Sequence, residues 1–127
     1  MNALPNSCVL TRRRVLVVED EALVAMEFEL LLEQQGCIVI GPAATVAAAL
    51  RLVGSEAIDA ALLDVNLPDG RSTPVASALR ELQVPFVVVS GYNLRQLDEP
   101  ELLRGAAVQK PADHVQLIDT LLAVLRR

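Results

Sequence analysis

Aromatic side chains are nearly missing from this sequence: it has no tryptophan, and Phe28, Phe86 and Tyr92 are its only such rings in 127 residues. A core must therefore be filled by Val, Leu, Ile and Ala, which suits a sheet covered by helices on both faces. Cysteine is scarce too, and Cys8 and Cys37 lack any metal-ligand spacing. Cys37 lies in an apolar run and reads as a buried thiol, in keeping with a reducing compartment. No stretch reaches the roughly 18 apolar residues of a membrane span. The basic-then-apolar order of a signal peptide is absent. Positive charge is in the minority, 11 Lys and Arg against 16 Asp and Glu, for a net charge of −5. That balance argues against nucleic acid as a partner, since phosphate contacts need a concentrated basic surface. The one basic run, Arg12-Arg13-Arg14, reads as a solubilising flank. A cytoplasmic protein with no membrane partner is expected.

What is present is apolar residue, 53% of the chain, enough for one sizeable core and about the right length for one domain. Residues 1–12 read as a loose, flexible extension and 13–127 as the folded domain. Short apolar runs at 15–18, 37–40, 60–63, 86–89 and 106–108 are continuous rather than alternating, as for strands of a parallel sheet buried on both faces. Helical segments fall between them. Residues 21–35 carry Val24, Phe28 and Leu31 on one stripe, with Gly36 as terminator. Thr45 caps a helix over 46–54. Thr73 caps one running to about Leu82, with Pro74 at its first position. Residues 94–104 are helical in composition but interrupted by Pro100, and Asp113 caps a last helix. Five such units give an α/β fold, a doubly wound five-stranded parallel sheet with helices on both faces.

In such sheets the chemistry lies at the carboxyl ends of the strands. The first strand ends in Glu19-Asp20, the third in Asp64, the fourth in Ser90, and the fifth leads to Lys110-Pro111. Any one of these alone reads as a helix cap or a solvated strand end; together they read as a site. Two like charges ~4 Å apart repel by about 4 kcal/mol at an effective dielectric near 20, so three gathered carboxylates call for a cation. All-oxygen ligands suit Mg²⁺. Lys110 and the Ser90 hydroxyl are suited to phosphoryl oxygens, giving the parts of a phosphoryl-transfer site.

The motifs Val-Val-Glu-Asp-Glu, Leu-Leu-Asp-Val-Asn-Leu-Pro-Asp-Gly, Val-Val-Val-Ser-Gly-Tyr and Gln-Lys-Pro resemble those of response-regulator receiver domains, over about residues 14–127. The resemblance implies a flavodoxin-like strand order 2-1-3-4-5 and a signalling phosphoacceptor, not an enzyme acting on other substrates. It makes Asp64 the nucleophile, with Ser90 and Lys110 holding phosphoryl oxygens. It makes Asp20, Asp64 and the Asn66 carbonyl ligands of Mg²⁺, with Glu19 reaching the ion through water. A cis Lys110-Pro111 bond is also implied. Expected partners are a histidine kinase or histidine phosphotransfer protein, a downstream protein target and, weakly, a second copy of the chain. An alternative is a hybrid-kinase receiver or phosphorelay shuttle that passes the group to another protein's histidine.

Two traits depart from receivers of the chemotaxis type and resemble a receiver subgroup with Ser/Thr-Gly-Tyr after strand four and no aromatic switch residue in strand five. Ser90 is followed by Gly91-Tyr92, with Pro100 interrupting the next helix. Ala107 stands three residues before the lysine, where those carry an aromatic switch, so the signal is expected to leave through residues 91–104. An aspartyl-nucleophile phosphatase is disfavoured by Asn66, where such enzymes carry a second aspartate. A flavin binder is disfavoured by the acidic first loop. Leu23, Met26 and Leu30 form a second apolar face on the first helix, expected to dock a partner. His114 reads as a surface residue at the start of the last helix.

Overall fold

The computed structural model describes residues 9–91, 99–103 and 105–126. Strand β1 (Arg14–Val18) leads to helix α1 (Ala22–Gln34), β2 (Ile38–Ala43), α2 (Val46–Ser55) and β3 (Ala60–Asp64). A short ribbon of β4 (Asn66–Leu67) and β5 (Gly70–Arg71) precedes α3 (Thr73–Glu81) and β6 (Phe86–Ser90). Then come α4 (Pro100–Leu103), β7 (Ala106–Gln109) and α5 (His114–Leu125). The five long strands pair in parallel in the order β2-β1-β3-β6-β7, which is the expected 2-1-3-4-5 once the ribbon is set aside.

Successive strand residues point to opposite faces, so each apolar run feeds two cores. Leu16, Val18, Ala61, Leu63, Phe86 and Val88 pack with Ala49 and Val53 of α2 and Val75, Ala76 and Leu79 of α3. On the other face, Val15, Val17, Leu62, Val87 and Val89 meet Phe28, Leu31 and Leu32 of α1 and Leu117 and Leu121 of α5. Cys37 is buried on that second side, and burial pushes its thiol up to about 11. Leu10, inside the stretch read as a loose extension, is fully buried there as well. The basic run is tied down: Arg13 Nε donates to the Val9 carbonyl, and Arg14 bonds the Ala57 carbonyl and Glu56.

The helix ends follow local chemistry. The Thr45 hydroxyl accepts from the Ala48 N–H, and the Asp113 carboxylate accepts from those of Val115 and Gln116. Gly36 closes α1 at φ 85°, with Cys37 N–H on the Leu32 carbonyl and Gly36 N–H on that of Glu33, a Schellman pair. Helix α3 ends the same way, with Val84 on Leu79 and Gln83 on Arg80, although Gln83 is no glycine.

Three details differ from the sequence reading. Ser72, not Thr73, is the N-cap residue of α3, and neither hydroxyl makes a capping bond, so Pro74 sits one position deeper. Strand β2 runs past Gly41-Pro42 to Ala43, two residues that ordinarily break a strand. It does so at a sheet edge, where the missing proline N–H is tolerated, and Gly41 adopts φ 97° with no room for a Cβ against Ala43 N and Val17 O. Pro100 opens the described helix, where its missing N–H costs nothing, and residues 94–98 of the expected interrupted helix lie outside the described residues. The ribbon β4–β5 was not expected, because two-residue strands carry no readable periodicity. The segment assigned to signal output falls largely on residues 92–98, which with Tyr92 lie outside the described residues.

Candidate functional site

Because every long strand points the same way, their carboxyl ends converge at one edge. Glu19 follows the last residue of β1, and its N–H donates to the Ala43 carbonyl of β2. Its side chain is buried beside the β3 end, where Asp64 closes the strand. Ser90, at the end of β6, is buried and lies one residue beyond Val89, the partner of Asp64. The backbone N–H of Lys110 donates to the Ser90 carbonyl at 2.8 Å, continuing the sheet past β7. The Lys110-Pro111 bond is cis.

Glu19, Asp20 and Asp64 each offer a carboxylate oxygen within 4.8 Å of the others. Lys110 Nζ donates to Glu19 Oε1 at 2.8 Å and sits 3.4 Å from Asp64 Oδ2. The lysine thus belongs first to Glu19 and only partly to Asp64. Glu19 Oε2 also accepts from the Glu21 N–H, and Asp64 Oδ1 from the Val65 N–H. Burial and the neighbouring Glu19 charge push the Asp64 carboxyl up to about 6, against the opposing pull of Lys110 and the Val65 bond. Burial works against the Lys110 charge, but the Glu19 bond and both carboxylates outweigh it and raise its pKa. Asn66 opens β4, two residues after Asp64 and half-buried. Carboxylate oxygens alone make up the three-residue cluster, a donor set that fits a hard divalent cation such as Mg²⁺.

The sequence pattern of the response regulator receiver domain matches residues 15–122. The chain belongs to the response-regulator receiver family.

Among similar proteins, the transcriptional regulatory protein PdtaR of Mycobacterium tuberculosis is 32% identical over 118 residues, 90% of this chain and 58% of that protein. The phyllosphere-induced regulator PhyR of Methylorubrum extorquens is 36% identical over 92 residues, 68% of this chain and 34% of that one. The chain therefore spans roughly a third to three-fifths of these curated relatives. The solution structure of SdrG from Sphingomonas melonis Fr1 superposes with a TM-score of 0.78 at 39% identity, covering 91% of this chain and 98% of that one.

Within this receiver the fold brings together Glu19, Asp20, Asp64 and Lys110 directly, with Ser90 and Asn66 on the same edge. Ala107 sits in β7 as a small, exposed residue. His114 lies at the start of α5 on the surface, 3.3 Å from Glu27 of α1. Among the described residues, no helix is long and apolar enough to cross a membrane. The role of one residue of the quoted Leu-Pro-Asp-Gly run is not legible in the sequence. Asp69, at the ribbon's turn, accepts the N–H groups of Val46 and Ala47. Its partners lie more than twenty residues upstream, so no local spacing could reveal it.

Proposed function

We propose that this receiver takes a phosphoryl group from a histidine kinase or histidine phosphotransfer protein onto Asp64. The observation that carries the reading is Lys110 Nζ lying between the Glu19 and Asp64 carboxylates, with Asp20 beside them, on the edge that also holds the buried Ser90. Asp20 and Asp64, with the Asn66 carbonyl, hold Mg²⁺, and Glu19 supports it. When bound, the ion neutralises charge on the phosphoryl oxygens. An Asp64 oxygen attacks phosphorus, the bond from phosphorus to the donor imidazole nitrogen breaks, and the imidazole leaves with the electron pair. Lys110 and the Ser90 hydroxyl hold the phosphoryl oxygens, so positioning and charge neutralisation do most of the catalysis. Lys110 must exchange part of its bond to Glu19 for the incoming group.

Leu23, Met26 and Leu30 on α1 are 79%, 53% and 54% exposed, a set of apolar side chains that supports partner docking beside the site.

The test is incubation with Mg²⁺ and acetyl phosphate, followed by intact-mass measurement. One added phosphoryl group that disappears in Asp64→Asn and in excess chelator supports the reading. Full labelling of Asp64→Asn at another residue overturns the site.

A further inference from the structure

The ribbon that follows Asp64 is closed at its base by the Ser72 N–H on the Val65 carbonyl at 2.9 Å and anchored to the rest of the fold at two further points. Leu67 of β4 is buried in the core beneath α2 and α3. At the tip, Asp69 Oδ1 accepts the Val46 N–H at 2.8 Å and Oδ2 accepts that of Ala47 at 3.1 Å. The Thr45 hydroxyl takes the Ala48 N–H, so the first three amides of α2 are all satisfied, two of them by a residue from another loop. These bonds also hold the Asp69 carboxyl below the usual carboxylate range, keeping it ionised against the positive end of the helix. Asn66 lies between the Asp64 strand and these two anchors, paired with Arg71 across the ribbon.

We infer that Asp69 is a positioning residue: by clamping the ribbon turn onto the first turn of α2, it holds Asn66 in place for the magnesium site. The inference rests on the proposed function, which assigns the Asn66 carbonyl to the metal. Asp69 itself has no place among the residues assigned to metal or phosphoryl group. It acts through the backbone of the ribbon, as outer groups orient metal ligands elsewhere.

Two variants of the intact chain separate positioning from simple helix stabilisation. Asp69→Ala removes the clamp, whereas Thr45→Ala removes the other cap of the same helix and leaves the ribbon untouched. Titration calorimetry with MgCl₂ is expected to show Asp69→Ala weakened about tenfold, Asp69→Asn intermediate because one acceptor oxygen survives, and Thr45→Ala unchanged. In magnesium-free buffer, amide exchange at Asn66 and Arg71 is expected to quicken in Asp69→Ala only. Labelling of Asp69→Ala by acetyl phosphate is expected to slow at limiting magnesium and recover as magnesium is raised. Unchanged magnesium affinity in Asp69→Ala, or an equal loss in Thr45→Ala, overturns the inference while leaving the proposed function standing. Failure of the wild-type chain to bind magnesium overturns both.

Discussion

At the scale of single residues, Asp64 illustrates how a site departs from what stability alone favours. Its carboxyl is raised to about 6, mainly by burial and by the Glu19 charge. The unfolded chain releases that proton near 3.9. A folded pKa above the unfolded one contributes stability that is fully present below pH 4 and is lost as pH rises through 6. The shift corresponds to about 2–3 kcal/mol carried as a cost at neutral pH in magnesium-free protein. Asp64→Asn keeps an acceptor for the Val65 N–H but removes the charge. It is therefore expected to raise the melting temperature at pH 7.5 without magnesium, by a margin that shrinks toward pH 4. Thermal melts of both proteins across that range check the sign. A gain that grows on acidification contradicts the repulsion. Gly41 makes a contrasting residue-scale case. At φ 97°, with a Cβ facing Ala43 N at 2.8 Å and Val17 O at 3.1 Å, it has no tolerated substitute. Gly41→Ala is expected to lower stability by about 2 kcal/mol or more, through left-handed strain plus displaced backbone.

At the scale of elements, helix ends account for much of what sequence could and could not say. Helix α3 closes with Gln83 at φ 60°, where the Schellman geometry favours glycine. Gln83 is exposed, so Gln83→Gly loses little packing. Relief of left-handed strain outweighs the added freedom of the unfolded chain, and a gain of roughly 0.5–1 kcal/mol is expected in urea unfolding. The exposed α1 face makes a functional prediction. Leu23→Glu with Met26→Glu is expected to slow transfer from a kinase while sparing labelling by acetyl phosphate. Equal loss with both donors points to misfolding. The α1 stripe, the Thr45 and Asp113 caps and all five long strands were legible because each depends on neighbours within a few residues. The strand ends that form the site were legible for the same reason: an apolar run that stops at Asp64 or Ser90 marks its own edge. The β4–β5 ribbon, the passage of β2 through Gly41-Pro42, and the role of Asp69 were not. Each is decided by backbone partners far along the chain, where residue type alone signals a turn or a break.

At the scale of the whole molecule, parallel topology has an electrostatic consequence. A sheet whose strands all run one way delivers every strand end to one edge, so acidic strand ends necessarily crowd together. Lys110 answers that crowding from just past β7, reaching across the end of β6 to the carboxylates that terminate β3 and follow β1. It thereby links the edge strand to the centre of the sheet. Glu19 is 2% exposed, so removing Lys110 strands a buried charge beside a second carboxylate. Lys110→Met preserves most of the side-chain volume and deletes the charge together with the hydrogen bond to Glu19. Breaking a buried pair from one side costs about 3–5 kcal/mol, a large share of the 5–15 kcal/mol that holds a typical domain together. In magnesium-free buffer at neutral pH, urea unfolding of Lys110→Met is expected to show a loss of that order. Because the damage is unopposed negative charge, two independent changes are expected to restore part of it: adding Mg²⁺, and combining the variant with Asp64→Asn. The double variant should therefore be more stable than the sum of the two single effects, the coupling expected of groups in direct contact. Strict additivity, with no recovery on adding magnesium, means that the lysine stabilises the fold by packing and not by charge.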